Sequence, residues 1–187
     1  MMDLGEVLEA SGAILRGHFV LTSGRHSDIY FEKFRVLEQP EVLTALGATI
    51  AAHFDEEAFD AVAGPTTGGI IIAFEVARQM GLPAIYVESE GGHRRLRRGK
   101  TLPAGTRVLV VDDVLTTGKS LVETADVLRS AGAEIRAYAV LIDRSGAEVH
   151  LDAPTFAAYE VAGESWPADD LPPHLRDIPA VKPGTSA

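Results

Sequence analysis

Two adjacent carboxylates at the end of an aliphatic run, followed at once by hydroxyls and a glycine, are the residues of this sequence best suited to chemistry. The run reads Val108-Leu109-Val110-Val111-Asp112-Asp113-Val114-Leu115-Thr116-Thr117-Gly118-Lys119-Ser120. The aliphatic residues predict a buried strand that presents Asp112 and Asp113 at its tip, and a helix is expected from Lys119. The leading N–H groups of a helix have no partners within it and carry the positive end of the dipole, so they can hold a phosphate. Gly118 lets the backbone approach that phosphate closely. Thr116, Thr117 and Ser120 can donate hydroxyl hydrogen bonds to its oxygens. Carboxylates beside a phosphate would repel it, so Asp112 and Asp113 should face something else. Ribose hydroxyls fit, each carboxylate accepting from one of them. The bland alternative is a strand followed by a capped helix, since Thr and Ser are common N-caps. The parts occur together and in order, which favours a sugar-phosphate grip. Gly118-Lys119-Ser120 also matches the end of a Walker A loop, but that loop needs a glycine five positions before Gly118. Position 113 is an aspartate.

Further candidates lie on either side. The formal net charge is −10, and the basic residues concentrate once, at Arg94, Arg95, Arg97, Arg98 and Lys100, with His93 just before. A chain this acidic repels nucleic acid. The cationic island suits a small polyanionic substrate, and its bland reading is a solvated hairpin face or loop. Arg144 follows an apolar run, where an arginine can meet a carboxylate or carbonyl edge with several fixed donors. Its bland reading is a surface ion pair. Gly64-Pro65-Thr66-Thr67-Gly68-Gly69 forms a second turn after a short apolar stretch. There are no cysteines, which excludes disulfides, thiolate zinc sites and a cysteine nucleophile. His26, His53, His150 and His174 show no metal-ligand spacing, and Trp166 and Tyr159 read as packing residues.

The elements that must position these groups alternate. Helices are expected over 5–13, 40–54, 68–80 and 119–130, and strands over 60–63, 84–87, 107–111, 134–142 and 156–161. Residues 18–30 read as two extended segments around a Ser23-Gly24 turn. The stretch 88–100 reads as a loop or mobile hairpin, hinged at Gly91-Gly92 and Gly99. This alternation predicts an α/β fold with a mainly parallel sheet flanked by helices. Ligands of such sheets sit outside the carboxyl ends of the strands. That places the site at 64–69, 112–120 and 143–146. One domain is expected: a small N-terminal hood (1–35), a core (36–162) and a partly disordered tail (163–187), with 179–187 frayed.

The segment from Asp112 to Ser120 resembles the phosphoribosyl pyrophosphate motif of type I phosphoribosyltransferases. His18-Phe19-Val20-Leu21-Thr22-Ser23-Gly24-Arg25-His26-Ser27, with Tyr30, resembles the hood of the orotate phosphoribosyltransferases. Gly64 to Ile70 is similar to their pyrophosphate loop, and Ile142-Asp143-Arg144-Ser145-Gly146 to their base-binding segment. The resemblance spans about residues 4–146. It implies the type I phosphoribosyltransferase fold and transfer of phosphoribosyl to orotate in pyrimidine biosynthesis. It further implies that Asp112, Asp113, Thr116, Thr117, Gly118, Lys119, Ser120, Thr66, Thr67 and Gly68 bind phosphoribosyl pyrophosphate. Thr116, Arg144, Ser23 and Gly24 would bind orotate, and Asp112, Asp113, Arg94 and Arg95 would be catalytic. Mg2+ would be held through substrate and water rather than by direct protein ligands. A homodimer with shared active sites is implied. The sequence departs from many members at Thr22, where a hood lysine is usual, at Thr67-Gly68-Gly69, where a lysine is usual, and across 86–93.

Two alternatives stand beside this reading. One is transfer to a purine base on the same fold. The other is a non-catalytic regulator that binds phosphoribosyl pyrophosphate or a nucleotide. Neither a nucleic-acid partner nor a membrane is expected, and a cytoplasmic address is the default. The whole reading requires that the acid-bearing tip and the amides after it open on a cleft.

Overall fold

The structure, a computed structural model, describes residues 3–21, 23–145, 149–161 and 164–183. Thr22, Gly146 and residues 184–187 therefore lie outside the described residues. Helix α1 (Leu4–Ala10) is shorter than the sequence suggests, because Gly12 turns the chain at φ 72°. Strands β1 (Ile14–Val20) and β2 (His26–Phe31) then pair antiparallel around the Ser23-Gly24 turn. Helix α2 (Lys33–Leu37) starts at once, its first turn held by the Glu32 carboxylate accepting from the Phe34 N–H. Helix α3 (Pro40–His53) buries Val42, Leu43, Leu46 and Ile50, the stripe set by their helical spacing.

The rest is strand–helix alternation: β3 (Ala61–Pro65), α4 (Gly68–Met80), β4 (Ala84–Glu90), β5 (His93–Arg95), β6 (Arg107–Leu115), α5 (Lys119–Ser130), β7 (Glu134–Asp143) and β8 (Thr155–Glu160). These strands form one six-stranded sheet in the order β5-β4-β3-β6-β7-β8. All neighbours are parallel except β4 and β5. Side chains alternate across a strand, and both faces of this sheet are covered. Leu109 and Val111 pack with Leu46, Ile50, Ile72 and Val76 of α3 and α4. Val108 and Val110 pack on the other face with Leu121, Ala125 and Leu128 of α5. Burying one such aliphatic side chain contributes roughly 1.5–3 kcal/mol. Among the described residues, no helix is long and apolar enough to cross a membrane.

Three segments differ from the sequence expectation. First, β6 does not stop at Val111. It continues to Leu115 because β7 is long enough to pair with it, with Asp112 opposite Val140 and Leu115 opposite Asp143. Second, residues 88–95 form a hairpin, β4 with β5, turning at Gly91 (φ 59°) and Gly92 (φ 81°). Successive left-handed residues match the twist of a tight hairpin. Third, the described part of the tail, 164–183, returns to the hood. Strand β9 (Ser165–Trp166) pairs with β2, and helix α6 (Pro173–Arg176) buries Leu175. Val181 then lies beside β1, donating to the His18 carbonyl and accepting from the Val20 N–H, each at 2.8 Å.

Candidate active site

Asp112 and Asp113 are both buried, at 7% and 9% exposure. Strand alternation sends them to different sides of β6. Asp112 lines a cavity of about 280 Å³ together with residues 116–121. It accepts from the Asp113 N–H at 2.8 Å and is hydrogen bonded to Ser120. Burial, and then the neighbouring Asp113 charge, push its pKa from an ordinary 3.8 up to about 6. Asp113 accepts from the Val114 N–H at 2.7 Å, and its other oxygen lies 2.7 Å from Lys33 Nζ. It faces Gly68, where an added Cβ would stand 2.9 Å from Asp113 Oδ2. The acids are thus buried, but Asp112 is buried as part of a cleft wall, so the tip is not sealed.

Thr116, Thr117, Gly118, Lys119 and Ser120 all line that same cavity. Gly118 has φ 73° and, as the N-cap, gives α5 no side-chain bond. Among the described side chains, Thr117 Oγ1 accepts from the Lys119 N–H at a long 3.5 Å, and the amides that follow are left for a ligand. Gly118 is also demanded by packing, since a Cβ there would come within 3.0 Å of Leu151 and Val149. Arg94 crosses from the hairpin to the 116–120 loop. Its guanidinium donates to Ser120 Oγ at 2.8 Å and to the Thr66 carbonyl at 3.1 Å, with Glu123 at 3.7 Å. Thr66 Oγ1 in turn accepts from the Ser89 N–H at 3.0 Å, and the peptide bond between Thr66 and Thr67 is cis. Gly64 is tightly enclosed, for a Cβ there would run into the Gly69 carbonyl. Thr67 and Gly68 do not line the cavity. Arg95, next to Arg94 on a strand, points the other way, is exposed, and lies 4.0 Å from Glu90. Arg97 and Arg98 meet Glu88 at 3.7 and 3.0 Å.

A second cavity, about 380 Å³, adjoins the first through Thr116 and Thr117, which line both. Its walls include Ser23, Ser27 and Tyr30 of the hood, and Arg144. The backbone N–H of Arg144 donates to Leu115 O at 2.9 Å, which fixes it past the end of β7. Burial lowers the pKa of its guanidinium from the ordinary value, and Tyr30 works in the opposite direction. No ion pair joins Arg144 to a carboxylate among the described residues. Gly24, with φ 79°, shapes the hood turn but does not line the cavity. The remaining wall is the returning tail, through Ser165, Lys182 and Pro183. No Asp or Glu is among the described residues that line this cavity.

Sequence reasoning missed two members of this arrangement. Lys33 carries no local motif, and only the turn from β2 into α2 brings it to Asp113. Lys182 sits in a stretch whose proline and acid content suggests disorder, and only the pairing of Val181 with β1 places it. Tyr30 was visible in the hood motif, without its closeness to Arg144.

The chain is similar to known proteins over nearly its whole length. Residues 35–169 match the phosphoribosyl transferase domain family. The orotate phosphoribosyltransferase of Maricaulis maris (strain MCS10) is 44% identical over 190 residues, covering 98% of this chain and 98% of that protein. The crystal structure of orotate phosphoribosyltransferase from Aeropyrum pernix superposes with a TM-score of 0.70 at 33% identity, covering 85% of this chain and 94% of that one. A crystal structure of adenine phosphoribosyltransferase from Saccharomyces cerevisiae, 17% identical, covers 83% of this chain and 98% of that one with a TM-score of 0.65, a likeness of fold alone. At this identity over nearly the full length of both chains, the chain belongs to the orotate phosphoribosyltransferase family.

Proposed function

We propose that this chain transfers the phosphoribosyl group of 5-phosphoribosyl 1-diphosphate to orotate, giving orotidine 5′-monophosphate and pyrophosphate in de novo pyrimidine biosynthesis. The observation that carries this reading is the joined pair of cavities. One ends on the start of α5 beside a carboxylate, the other holds Arg144, and Thr116 and Thr117 are common to both. A sugar phosphate in the first places its anomeric carbon toward a base in the second.

Pyrophosphate leaves the anomeric carbon, and the base nitrogen attacks from the opposite face through an oxocarbenium-like transition state. Orotate is anionic near neutral pH, so positioning and charge stabilisation do most of the work. Asp112, in the cavity wall, accepts from a ribose hydroxyl and its charge favours a cationic ring; Asp113, turned to Lys33 on the other side of β6, would reach a second hydroxyl only by releasing that ion pair. Residues 116–120 hold the 5-phosphate. Arg94, held against the Thr66 turn, offsets charge on the departing pyrophosphate. The donor set fits magnesium held through substrate: one carboxylate, Asp112, stands in the cavity wall beside residues 116–120, which suits an ion that keeps its waters and binds largely through substrate oxygens. When bound, it would offset negative charge on the pyrophosphate.

We also propose a homodimer in the cytoplasm with shared active sites. Ile71, Phe74 and Tyr86 form an exposed apolar face at 43%, 57% and 41% exposure, suited to a second copy. Arg95, exposed and turned away from its own cleft, would act in a partner's. The absence of cysteine fits a reducing compartment.

The alternatives have less support. The arginines of the hairpin are met by Glu88, Glu90 and Glu123, which weakens the case for a regulator gripping nucleic acid. A cavity that holds Arg144, with no Asp or Glu among its described lining residues, suits an anionic base better than a neutral purine. Base-dependent pyrophosphate release with orotate, hypoxanthine, xanthine and adenine tests the reading. Turnover with orotate alone is expected, and Asp113→Ala should lower it while the fold persists. Turnover with a purine, or salt-sensitive polynucleotide binding without turnover, would replace the reading.

A further inference from the structure

The two acids at the tip of β6 straddle the sheet, and one of them stands beside a turn that an anion has to approach. We propose that Lys33 is a positioning residue of the transfer reaction: held against Asp113, it offsets the charge of that acid beside the turn 64–69 and so lets the pyrophosphate of the substrate dock there. The inference rests on the orotate transfer proposed above and deepens it.

Alternate residues of β6 go to opposite faces of the sheet. Leu109 and Val111 pack toward α3 and α4, and Val108 and Val110 toward α5. Asp113 continues the first row and meets the start of α4, for a Cβ built on Gly68 would stand 2.9 Å from its Oδ2. Asp112 continues the second row and meets Ser120, near the start of α5. Each acid therefore stands beside the start of a helix. Thr67, the N-cap of α4, makes no side-chain bond to that helix. The guanidinium of Arg94 joins this turn to the 116–120 loop, through the Thr66 carbonyl at 3.1 Å and Ser120 Oγ at 2.8 Å. A substrate seated on the 116–120 loop thus has the 64–69 turn as its neighbour.

An ionised Asp113 at that turn repels a pyrophosphate, and in a chain of net charge −10 the conflict is sharp. Lys33 relieves it. Its Nζ lies 2.7 Å from Asp113 Oδ2, while the Val114 N–H holds Oδ1 at 2.7 Å, so each carboxylate oxygen has a partner. Gly68 leaves room for the pair, since a side chain there would collide with the carboxylate. The charge of Lys33 also reaches Asp112, where it works against the effect of burial. Burial disfavours the ammonium, yet Asp113, Asp112 and Glu32 together hold its pKa above the ordinary lysine value. Lys33 comes from α2, at the end of the hood, so the hood does more than cover the base: it brings the counter-charge for an acid of the core. At 43% side-chain exposure, Lys33 can be replaced without opening the core.

The test compares the full chain with Lys33→Met, Lys33→Arg, Asp113→Asn and the Lys33→Met, Asp113→Asn double variant, with Lys33→Gln as a second neutral replacement and thermal melts to check the fold. Steady-state rates are measured forward, varying phosphoribosyl pyrophosphate and orotate, and in reverse, varying pyrophosphate and orotidine 5′-monophosphate. Lys33→Met should raise KM for phosphoribosyl pyrophosphate and for pyrophosphate about tenfold or more, which corresponds to about 1.4 kcal/mol. It should leave KM for orotate and for orotidine 5′-monophosphate within about twofold. Lys33→Arg should restore most of the loss. In the Asp113→Asn background there is no charge to offset, so the same replacement should cost less than about threefold. Unchanged KM for the two pyrophosphate-bearing substrates overturns the proposal. So does an equal rise in all four KM values, which would mark a merely structural contact. A full penalty in the Asp113→Asn background overturns it too, because Lys33 then does not act through the acid. If the parent chain releases no pyrophosphate with orotate, the function reading fails instead. An active parent with an indifferent Lys33→Met variant leaves that reading standing and sinks this one alone.

Discussion

Replacing Asp112 by asparagine should stabilise the protein at neutral pH while damaging its reaction. Asp112 is 7% exposed, and its pKa is pushed from 3.8 up to about 6, first by burial and then by the Asp113 charge. The folded chain therefore holds this proton to a higher pH than the unfolded chain. Between about pH 4 and pH 6 the folded state binds more protons, so stability contributed by this group falls as pH rises through that window. Above it, the folded state carries a disfavoured charge costing about 3 kcal/mol. The asparagine removes the charge, and its carbonyl oxygen can still accept from the Asp113 N–H, the 2.8 Å bond that Asp112 makes. For a chain of 187 residues, about 3 kcal/mol is roughly 6–12 °C in melting temperature. Thermal melts of parent and variant from pH 4 to pH 8 should nearly coincide at the acid end, and the variant should lead increasingly up to about pH 7. Turnover should fall, since a ribose hydroxyl loses its charged acceptor. If the variant melts at or below the parent at pH 8, or the gap fails to widen with pH, burial is not destabilising this carboxylate and the argument is wrong.

Other expectations follow from the same geometry. Arg144→Ala should lower kcat/KM for orotate roughly tenfold to a hundredfold, the scale of about 1.5–3 kcal/mol for a hydrogen bond to a charged group. Arg144→Lys should recover only part, and unchanged steady-state rates would remove Arg144 from the base site. Gly118→Ala forces a left-handed φ of 73° on a residue with a Cβ and presses it within 3.0 Å of Leu151 and Val149. It should cost at least about 1–2 kcal/mol and raise KM for phosphoribosyl pyrophosphate, read by melting and by kinetics. Glu75 is buried between Arg78, Gln79 and Thr44, and the hydrogen bond from Arg78 leads in holding its pKa down at about 2. Its contribution is present above about pH 4.5 and lost as pH falls toward 2, so Glu75→Gln should lower the melting temperature at pH 7 and converge with the parent in acid.

Local chemistry made much of this protein legible in sequence. Strands buried on both faces must be continuously apolar, so the runs 108–111 and 137–142 announced the parallel sheet. A helix start preceded by hydroxyls and a left-handed glycine is a local object, so Thr116 to Ser120 could be read as a phosphate grip from their order alone. The tertiary structure decided what depends on distant partners. How far β6 extends was set by the length of β7, and this put Asp112 and Asp113 inside the ladder and not beyond its end. Which arginine of the run enters the cleft was set by the alternation of β5, which turns Arg94 in and Arg95 out. Lys33 reaches Asp113 from 80 positions earlier in the chain, and Lys182 reaches the second cavity because Val181 pairs with β1. Periodicity and turn chemistry act over a few residues and are written in sequence. A side chain brought across the fold by someone else's hydrogen bonds leaves no trace in its own neighbourhood.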